Sequence, residues 1–523
     1  MGIQGQKMYH DAQEVFEQIK LEIEQLNGED LIKHLLIKLN QPGATDVEEM
    51  RRYEPWNLLL LVKWATLYGD FSASKNQQPV PEHVVHELLS LMQMLCDRVS
   101  EFRTAADAHL YMRKLAYQQF WLQRRESIPF GLARQYLLFG KLQSNHPFLK
   151  RFEGLTGVTI AEFIDMAVAV LHYLLTDEAR ILLMKEWFFA EAQAYGWNTI
   201  ESFLDSISIS TDDAQSWLAK HENDKSASYK TLANEYFEHS PFVRYPLFKY
   251  EGKYFVISPT LLLHSLSTFV HDELRRANTS SFMDKFGNMF EQLLDRSLRS
   301  VGLNVLTEDD LLCHFGRNSG QKVVDFLISE NGCNIYVESK GVTMRWQGMV
   351  ARLPKTLRNE RSMRSILKAV SQAYDVAFNI QPGDKICGTE VGAGENYLLV
   401  VTMKDFFIGS GQDLSNFIGK DKIDKIIAKY GGTEVIPLKN IFFVSVDELD
   451  VILGQIAHGN WSLSHLVASA VENAHTFGGR PAFRQLVTES NQDVHPPPLL
   501  QQATDELLQR LTDTLGRRPY NGL

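Results

Sequence analysis

The sequence predicts a multidomain protein, with an all-α N-terminal region followed by an α/β or α+β domain that has a central mixed sheet. Its length of 523 residues is enough for roughly two to four domains. Apolar residues recur at helical spacing through residues 1–240, whereas short apolar strands alternate with helices over 241–460. The remaining residues, 461–523, are predicted to form a C-terminal helical tail.

The clearest helix of the N-terminal region begins at a capping box, in which Glu162 follows Thr159 by three residues. Apolar residues then recur on one face, which we interpret as core: Ile160, Phe163, Ile164, Ala167, Leu171 and Leu174. The sequence of this region shows no nucleotide-binding loop, metal-ligand cluster or fixed repeat. It therefore does not indicate a chemistry of its own.

The composition is that of an ordinary globular protein, with a formal net charge of -11 and 44% hydrophobic residues. Any nucleic-acid surface must therefore be local. The four cysteines, Cys96, Cys313, Cys333 and Cys387, form no CxxC pair, so the sequence indicates neither a zinc ribbon nor a disulfide framework. They fit a reducing compartment.

The N-terminus lacks an apolar signal core, and Gln6 stands where myristoylation favours serine or threonine. The apolar runs at 58–62 and 166–175 are too short to span a bilayer. We expect a cytoplasmic protein without a membrane partner.

A change of pattern near Pro241 marks the predicted domain boundary. Apolar segments at 247–250 and 253–257 flank Glu251 and Gly252, which predicts a hairpin. Further elements are predicted in this order: a helix at 281–300, strands at 303–306, 323–328 and 334–338, a helix at 362–378, and strands at 397–403 and 441–446. A capping box at Ser445 and Glu448 then starts the helical C-terminal part, in which the segment 494–498 precedes a short final helix.

Two of these strands carry acidic residues where a strand is normally apolar. Asp325 lies in the first, and Glu338 and Lys340 lie two residues apart in the second, so their side chains point to the same face. The loop 329–333 is short enough for an antiparallel hairpin, which places Asp325 and Glu338 close together. Two such carboxylates repel each other unless a cation joins them. The pattern predicts a Mg2+ site, with Mn2+ as an alternative ion, and a cationic Lys340 beside the attacking water or a phosphate.

A fourth acid, Glu291, shares a face of the preceding helix with Phe290 and Leu294. An acid in an apolar stripe needs a partner, which we expect to be the metal, a water or Lys340. A basic stretch follows the carboxylates and contains Glu360 as its one acid, and we interpret it as a track for phosphates. The nucleic-acid-binding candidates are Arg345, Arg352, Lys355, Arg358, Arg361, Arg364 and Lys368, with Trp346 as a stacking residue.

Simpler readings remain open for each feature taken singly. Asp325 suits a turn, Glu338 with Lys340 suits an exposed ion pair, and Glu291 suits a solvated helix face. The basic stretch suits a solvated surface.

The order of these acids resembles the PD-(D/E)xK phosphodiesterase superfamily over residues 281–450. The resemblance implies a restriction-endonuclease-like fold in which Asp325, Glu338, Glu291 and the Ser339 backbone bind the metal while Lys340 serves the nucleophile. Val324 replaces the proline of the family's name. Gln372 and Tyr374 are similar to residues of exonuclease-like members, but their spacing differs.

The resemblance implies a metal-dependent nuclease that hydrolyses phosphodiesters of DNA, or of RNA such as tRNA. A large helical region joined to such a domain is similar to bacterial phage-defence effectors. The N-terminal region then regulates or senses, with a protein trigger as a further partner. The alternative is an inactive nuclease-like protein that binds nucleic acid or acts as a sensor.

Overall fold

The computed structural model divides into two compact units, each built from more than one stretch of chain. The described residues are 3–41, 54–71, 79–99, 105–123, 128–176, 181–225, 232–317, 320–475, 482–490 and 493–515. Unit 1 comprises Met1–Gln135, Leu142–Glu273 and Leu508–Leu523, and unit 2 comprises Tyr136–Lys141 and Leu274–Leu507.

Unit 1 is mainly helical and carries a small sheet. Its strands are β1 (Leu182–Leu183), β2 (Ser208–Ser210), β3 (Leu247–Tyr250) and β4 (Lys253–Val256). Its α-helices are Ile3–Glu24, Gly28–Leu39, Pro55–Tyr68, Glu82–Val99, Ala105–Gln123, Ile128–Gln135, Pro147–Thr156, Ile160–Thr176, Phe189–Tyr195, Trp197–Ser206, Thr211–Asn223, Leu232–Tyr236 and Pro259–Ala277, the last of which runs past the unit boundary.

The predicted hairpin forms β3 and β4, and its turn residues Glu251 and Gly252 have φ of 47° and 73°. It does not open the second unit, however, because it pairs with earlier strands in the order β1-β4-β3-β2. The unit boundary therefore lies at 273/274 instead of near 241. The first unit is therefore not all-α, because it contains this four-stranded sheet. The sequence did not predict β1 and β2, since strands of two and three residues are too short to show a period.

The predicted capping box at the start of Ile160–Thr176 is confirmed. Thr159 N donates to Glu162 Oε2 at 2.8 Å, and Glu162 N donates to Thr159 Oγ1 at 3.2 Å. The apolar face of this helix is core, as expected: the Phe163 ring is fully buried and stacks on Phe269 with centroids 4.6 Å apart. No single helix of the described chain is long and apolar enough to cross a membrane. The helices Pro147–Thr156 and 160–174 have sufficient length and apolar character only when taken together, and the pair is bent by 57°.

Unit 2 has the predicted mixture of strands and helices. Its strands are β5 (Val305–Thr307), β6 (Phe326–Glu330), β7 (Cys333–Lys340), β8 (Lys385–Ile386), β9 (Thr389–Glu390), β10 (Asn396–Thr402), β11 (Gly409–Ser410) and β12 (Ile441–Ser445). Its α-helices are Thr279–Ser300, Glu308–Phe315, Trp346–Met349, Pro354–Asn359, Arg361–Asn379, Gly411–Ile418, Lys420–Ala428, Val446–Ala457, Leu463–Glu472, Phe483–Glu489 and Pro498–Leu515, the last of which continues into unit 1.

The predicted central mixed sheet is confirmed as six strands in the order β11-β12-β10-β7-β6-β5. β7, β10 and β12 run parallel, while β5, β6 and β11 pair antiparallel with their neighbours. The parallel strands are buried almost throughout, as expected for a sheet that helices cover. The helices Thr279–Ser300 and Arg361–Asn379 both pack against β7.

Two boundaries next to the acidic residues differ from the prediction. β6 begins at Phe326, so Asp325 lies just before the strand instead of within it. The connection to β7 is a two-residue turn, Asn331 and Gly332, with φ of 51° and 78°. These positive values suit a turn that matches the twist of a hairpin, where Asn-Gly is the preferred pair. The tight turn extends β6 to Glu330 and starts β7 at Cys333, so that strand replaces most of the predicted loop.

The C-terminal segment does not form a separate tail, because unit 2 extends through Leu507. Ser445 caps the helix Val446–Ala457 by accepting from Glu448 N at 3.3 Å. The Glu448 carboxylate does not complete a capping box, since it accepts instead from Phe483 N at 2.7 Å. The final helix, Pro498–Leu515, has 18 residues and is longer than expected. Residues 516–523 lie outside the described chain.

Candidate functional site

Three acidic residues lie in one row at an edge of the six-stranded sheet. β5 pairs with β6 so that Thr307 faces Phe326, and β6 pairs with β7 so that Phe326 faces Val337. Extending both antiparallel registers by one residue sets Asp325 between Glu308 and Glu338. The pairing of β5 with β6 and of β6 with β7 thus places these three positions side by side from separate parts of the sequence.

Glu291 joins this row from the helix Thr279–Ser300, which packs against β5 and β7. The helix buries an aromatic and aliphatic stripe that includes Phe286 and Phe290. At the end of β7 the chain passes close to this helix, since a Cβ at Gly341 would lie 3.0 Å from Phe286 Cδ1 and 3.6 Å from Gly287 Cα. The glycine after Lys340 therefore allows the helix to lie near the acidic row.

Glu291, Glu308 and Asp325 together form a candidate metal centre. Each offers one carboxylate oxygen, and these three oxygens lie within 4.8 Å of one another. Glu291 and Asp325 are half-buried, whereas Glu308 is exposed. Three carboxylates at this spacing make a hard, oxygen-only donor set, which is the kind that Mg2+ and Mn2+ bind.

Asp325 is oriented by the residue between Glu338 and Lys340. Ser339 N and Ser339 Oγ both donate to Asp325 Oδ2 at 2.6 Å. Two donors on one oxygen fix the carboxyl group and leave Oδ1 for another partner. The Ser339 backbone was expected to bind metal through its carbonyl; that role stays a prediction, while its amide has the clear structural task of holding Asp325.

Glu338 and Lys340 contact each other, as their shared face predicts. Lys340 Nζ donates to Glu338 Oε1, and Asp325 N donates to Glu338 Oε2 at 3.2 Å. The side chains of Glu338 and Lys340 are only 1% and 16% exposed, so this is not the exposed ion pair of the simpler reading. Glu338 is not one of the three carboxylates that meet, and its predicted role as a metal ligand stays a prediction.

Glu291, Glu308 and Glu338 have raised pKa values for the same two reasons, which are burial and the negative charge of Asp325. Burial and the charge of Asp325 raise the pKa of Glu338 to about 8, against the opposing charge of Lys340. Burial, then Asp325 and Glu308, raise the pKa of Glu291 to about 7. Burial and Asp325 also raise the pKa of Glu308, which Lys340 and Lys368 oppose. Like charges without a nearby cation favour protonation, and a bound divalent ion would reverse that preference.

This leads to a prediction for the pH dependence of metal binding. A carboxyl group that ionises near pH 7 must lose its proton before it binds a metal, so the proton competes with the metal below pH 7. We expect the Mn2+ dissociation constant to fall about tenfold between pH 6 and pH 8 for displacement of one such proton. Titration calorimetry at a series of pH values measures this change.

Glu291→Gln is the matched variant for that experiment, because it keeps the shape of the side chain and removes the titrating group. It should bind Mn2+ more weakly and show a smaller pH dependence. An affinity that stays the same from pH 6 to pH 8 in the wild-type protein would contradict the assignment.

The predicted nucleic-acid-binding residues fall into two groups. Lys355, Arg358, Arg361, Arg364 and Lys368 are exposed, on the helices Pro354–Asn359 and Arg361–Asn379. Lys368 is the one whose charge acts on Glu308, which places it beside the acidic row.

The other predicted residues are half-buried or form an ion pair within the protein. The Arg345 side chain is 61% exposed but binds the buried Glu360, with Nη2 2.8 Å from Oε1. Arg352 is half-buried, and this burial lowers its pKa. Trp346 is half-buried as well. Glu360, the one acid of the stretch, therefore pairs with Arg345, and a phosphate would have to compete for that arginine.

Gln372 and Tyr374 bind backbone groups of unit 2. Gln372 Nε2 donates to Val323 O at 2.8 Å, and Tyr374 OH donates to Ile436 O at 2.6 Å. Gln372 thus anchors the segment that leads to Asp325, which is a positioning contact.

Glu308 is the site residue that the sequence reasoning missed. Its signal is Thr307 followed by Asp310 three residues on, which forms a capping box in the structure and starts the helix Glu308–Phe315. Recognising that helix start directly after the strand would have placed Glu308 at the sheet edge, next to the residue before β6.

In comparisons with protein-family models, curated proteins and solved structures, nothing matched this chain. The resemblance to the PD-(D/E)xK superfamily therefore stays a prediction from the motif.

Proposed function

We propose that this chain is a metal-dependent nuclease that hydrolyses nucleic-acid phosphodiesters. The observation that carries the proposal is the meeting of Glu291, Glu308 and Asp325, whose carboxylate oxygens lie within 4.8 Å of one another. A buried lysine–glutamate pair, Lys340 with Glu338, lies directly beside them. A cluster of acids next to a cation and an exposed basic helix suits metal-dependent hydrolysis of a phosphodiester.

The donor set fits Mg2+, because it consists of carboxylate oxygens and contains no sulfur or nitrogen. Glu291, Glu308 and Asp325 would hold the ion. When bound, Mg2+ supplies an activated water and stabilises the charge on the scissile phosphate. The hydrogen bonds from Ser339 to Asp325 fix one ligand in advance, which reduces the reorganisation needed on binding.

Lys340 has the position for an electrostatic role in the reaction. Glu338 binds its ammonium group, and because both side chains are largely buried, the ion pair is shielded from solvent. A cation fixed beside the acidic row can stabilise negative charge on a phosphate, or orient the attacking water. Glu338 then determines where Lys340 points, and its raised pKa allows it to hold a proton near neutral pH.

The basic helix supplies the attraction for the substrate. Arg361, Arg364 and Lys368 are exposed on the helix Arg361–Asn379, and Lys368 influences Glu308. In a chain with a net charge of -11, such a group offers phosphates a local positive surface. The arrangement supports binding of a nucleic-acid backbone and does not distinguish DNA from RNA.

The remaining parts of the proposal follow from the resemblance. Unit 2 is assigned to the PD-(D/E)xK superfamily, and the whole chain to cytoplasmic phage-defence effectors. Unit 1 is assigned a regulatory or sensing role with a protein trigger as its partner, since its sequence shows no chemistry of its own.

The test is incubation of the purified full chain with DNA and with RNA, in Mg2+ and in EDTA. We expect cleavage in Mg2+, no cleavage in EDTA, and loss of cleavage in Lys340→Ala and Glu338→Ala. Lys355→Ala, which removes one exposed lysine from the helix Pro354–Asn359, should reduce substrate binding at most modestly. Cleavage at the wild-type rate in both site variants would exclude this site, and nucleic-acid binding without cleavage would favour the inactive alternative.

A further inference from the structure

Two free and exposed cysteines lie on neighbouring elements of unit 2. Cys313 is in the helix Glu308–Phe315, and Cys387 is in the turn of the β8–β9 hairpin. This helix packs against β8. The two residues are far apart in sequence, so their proximity is a product of the fold.

Contacts on both sides of Cys313 bring it to the hairpin. One turn before it, Asp310 Oδ1 accepts a hydrogen bond from Cys387 Sγ at 3.2 Å. One residue after it, His314 Nε2 lies 3.6 Å from Asp384 Oδ2, in the segment leading to β8. Residues three and four apart lie on the same helix face, with their Cβ atoms about 5 to 6 Å apart. Cys313 therefore lies on the same helix face as two residues that contact the segment containing Cys387.

The backbone at Cys387 is a second and independent observation. Cys387 has φ of 48° and is followed by Gly388 with φ of 86°, a two-residue turn with both residues in the left-handed region. Asparagine, aspartate or glycine is preferred at the first position of such a turn. A cysteine there costs of order 1 kcal/mol in strain, and residues kept in strained positions cluster at functional sites.

We propose that Cys313 and Cys387 are a redox-active pair that forms a reversible disulfide when the protein meets a low-molecular-weight disulfide oxidant. The inference concerns these two side chains alone and does not depend on the nuclease proposal. In a reducing compartment such a bond is transient, as is usual for redox-sensing pairs.

The reaction proceeds by two thiol–disulfide exchanges. The Cys313 thiolate attacks one sulfur of the oxidant R–S–S–R, which breaks the oxidant's S–S bond and releases RS⁻. Cys387 Sγ then loses its proton to solvent and attacks Cys313 Sγ in the mixed disulfide, which releases the second RS⁻. Both thiolates take up a proton, so two cysteine thiols are oxidised and one oxidant is reduced to two RSH.

The hydrogen bond to Asp310 assigns the order of these steps. It raises the pKa of the Cys387 thiol, so Cys387 stays protonated and Cys313 attacks first. The product links the hairpin to the helix whose first residue is Glu308. Oxidation would thereby restrain the element that carries one of the three clustered carboxylates.

The test is oxidation of the full chain in glutathione buffers of increasing oxidised fraction, followed by alkylation and peptide mapping. We expect a Cys313–Cys387 peptide pair, two hydrogens lighter than the separate peptides, in the wild type and in Cys333→Ser. That variant is the matched control, because Cys333 is another free cysteine of unit 2. Cys313→Ser and Cys387→Ser should lack the pair, and Cys387→Ser should accumulate a mixed disulfide on Cys313.

The rate of disulfide formation in the native protein and in urea distinguishes pairing that the fold promotes from random pairing. In the native protein the link should form at least about 10-fold faster than in urea, because folding raises the effective concentration of one thiol at the other. Equal rates in both states, a pair that involves Cys333, or thiols that stay unlinked in fully oxidised glutathione would overturn the proposal.

Discussion

Replacing Asp325 with asparagine is expected to reduce metal-dependent cleavage by about 10² to 10³-fold, the range for loss of one preorganised electrostatic group. Burial raises the pKa values of Glu291, Glu308 and Glu338, and the charge of Asp325 raises all three further. It is also the middle residue of the acidic row. Asparagine keeps an oxygen that can accept from Ser339 N, so the change removes charge and a metal ligand with little change of shape.

The matched control is Asp284→Asn, which removes an exposed carboxylate from the helix that carries Glu291. This variant should cleave at the wild-type rate. Single-turnover cleavage measures the effect, and thermal unfolding checks that both variants fold. Wild-type cleavage by folded Asp325→Asn would show that the acidic row is not the reaction centre.

Replacing Lys63 with methionine is expected to lower the free energy of unfolding of unit 1 by about 3 to 5 kcal/mol, as for a buried ion pair that loses one partner. Lys63 is 1% exposed. Its Nζ lies 2.7 Å from Glu222 Oε1, 2.8 Å from Glu235 Oε1 and 3.6 Å from Glu238 Oε2. Burial acts against its charge, but the three glutamates together raise the pKa of Lys63. Without the ammonium group, buried carboxylates lose a shared partner.

The control for this experiment is Lys185→Met, since Lys185 pairs with Glu201 at 2.9 Å while both side chains are about half exposed, at 45% and 47%. Loss of such a solvent-screened surface pair should lower the free energy of unfolding far less than loss of Lys63 does. Urea unfolding of the full chain measures both values. If the two substitutions lowered the free energy of unfolding equally, the proposal that the buried network stabilises unit 1 more than the surface pair does would be contradicted.

The same network explains why a second group of potential ligands is not proposed as a metal centre. His221, Glu222 and Glu238 also offer atoms close enough to hold an ion. Lys225 Nζ already binds Glu222 at 2.6 Å and Glu238 at 2.5 Å, in addition to the contacts of Lys63. Although burial acts in the other direction, His221 and the two lysines lower the pKa of Glu238 to about 2. Glu222 and Glu238 therefore already pair with two lysines each.

Local patterns in the sequence predicted the strands and helices around the site to within a few residues. Alternation in β7 placed Glu338 and Lys340 on one face, and Asn331 with Gly332 specifies the tight turn that sets Glu338 opposite Asp325. These features depend on short-range rules of backbone geometry. The hydrogen bond from Ser339 to Asp325 could not be predicted from these rules and is known only from the structure.

Features that depend on long-range pairing could not be predicted in the same way. Glu308 reaches the site because β5 pairs with β6 across a gap of more than ten residues. The hairpin of β3 and β4 belongs to unit 1 because β1 and β2, of two and three residues, pair with it. Strands this short have no detectable period, and their partners are fixed only by the assembled core.

The most direct test of the proposed metal centre is the anomalous diffraction of crystals of the full chain soaked in Mn2+. We predict a peak about 2.0 to 2.2 Å from carboxylate oxygens of Glu291, Glu308 and Asp325, as expected for a small hard cation. The peak should disappear in Asp325→Asn. A peak confined to His221, Glu222 and Glu238, or the absence of any peak near Asp325 at saturating Mn2+, would contradict the account.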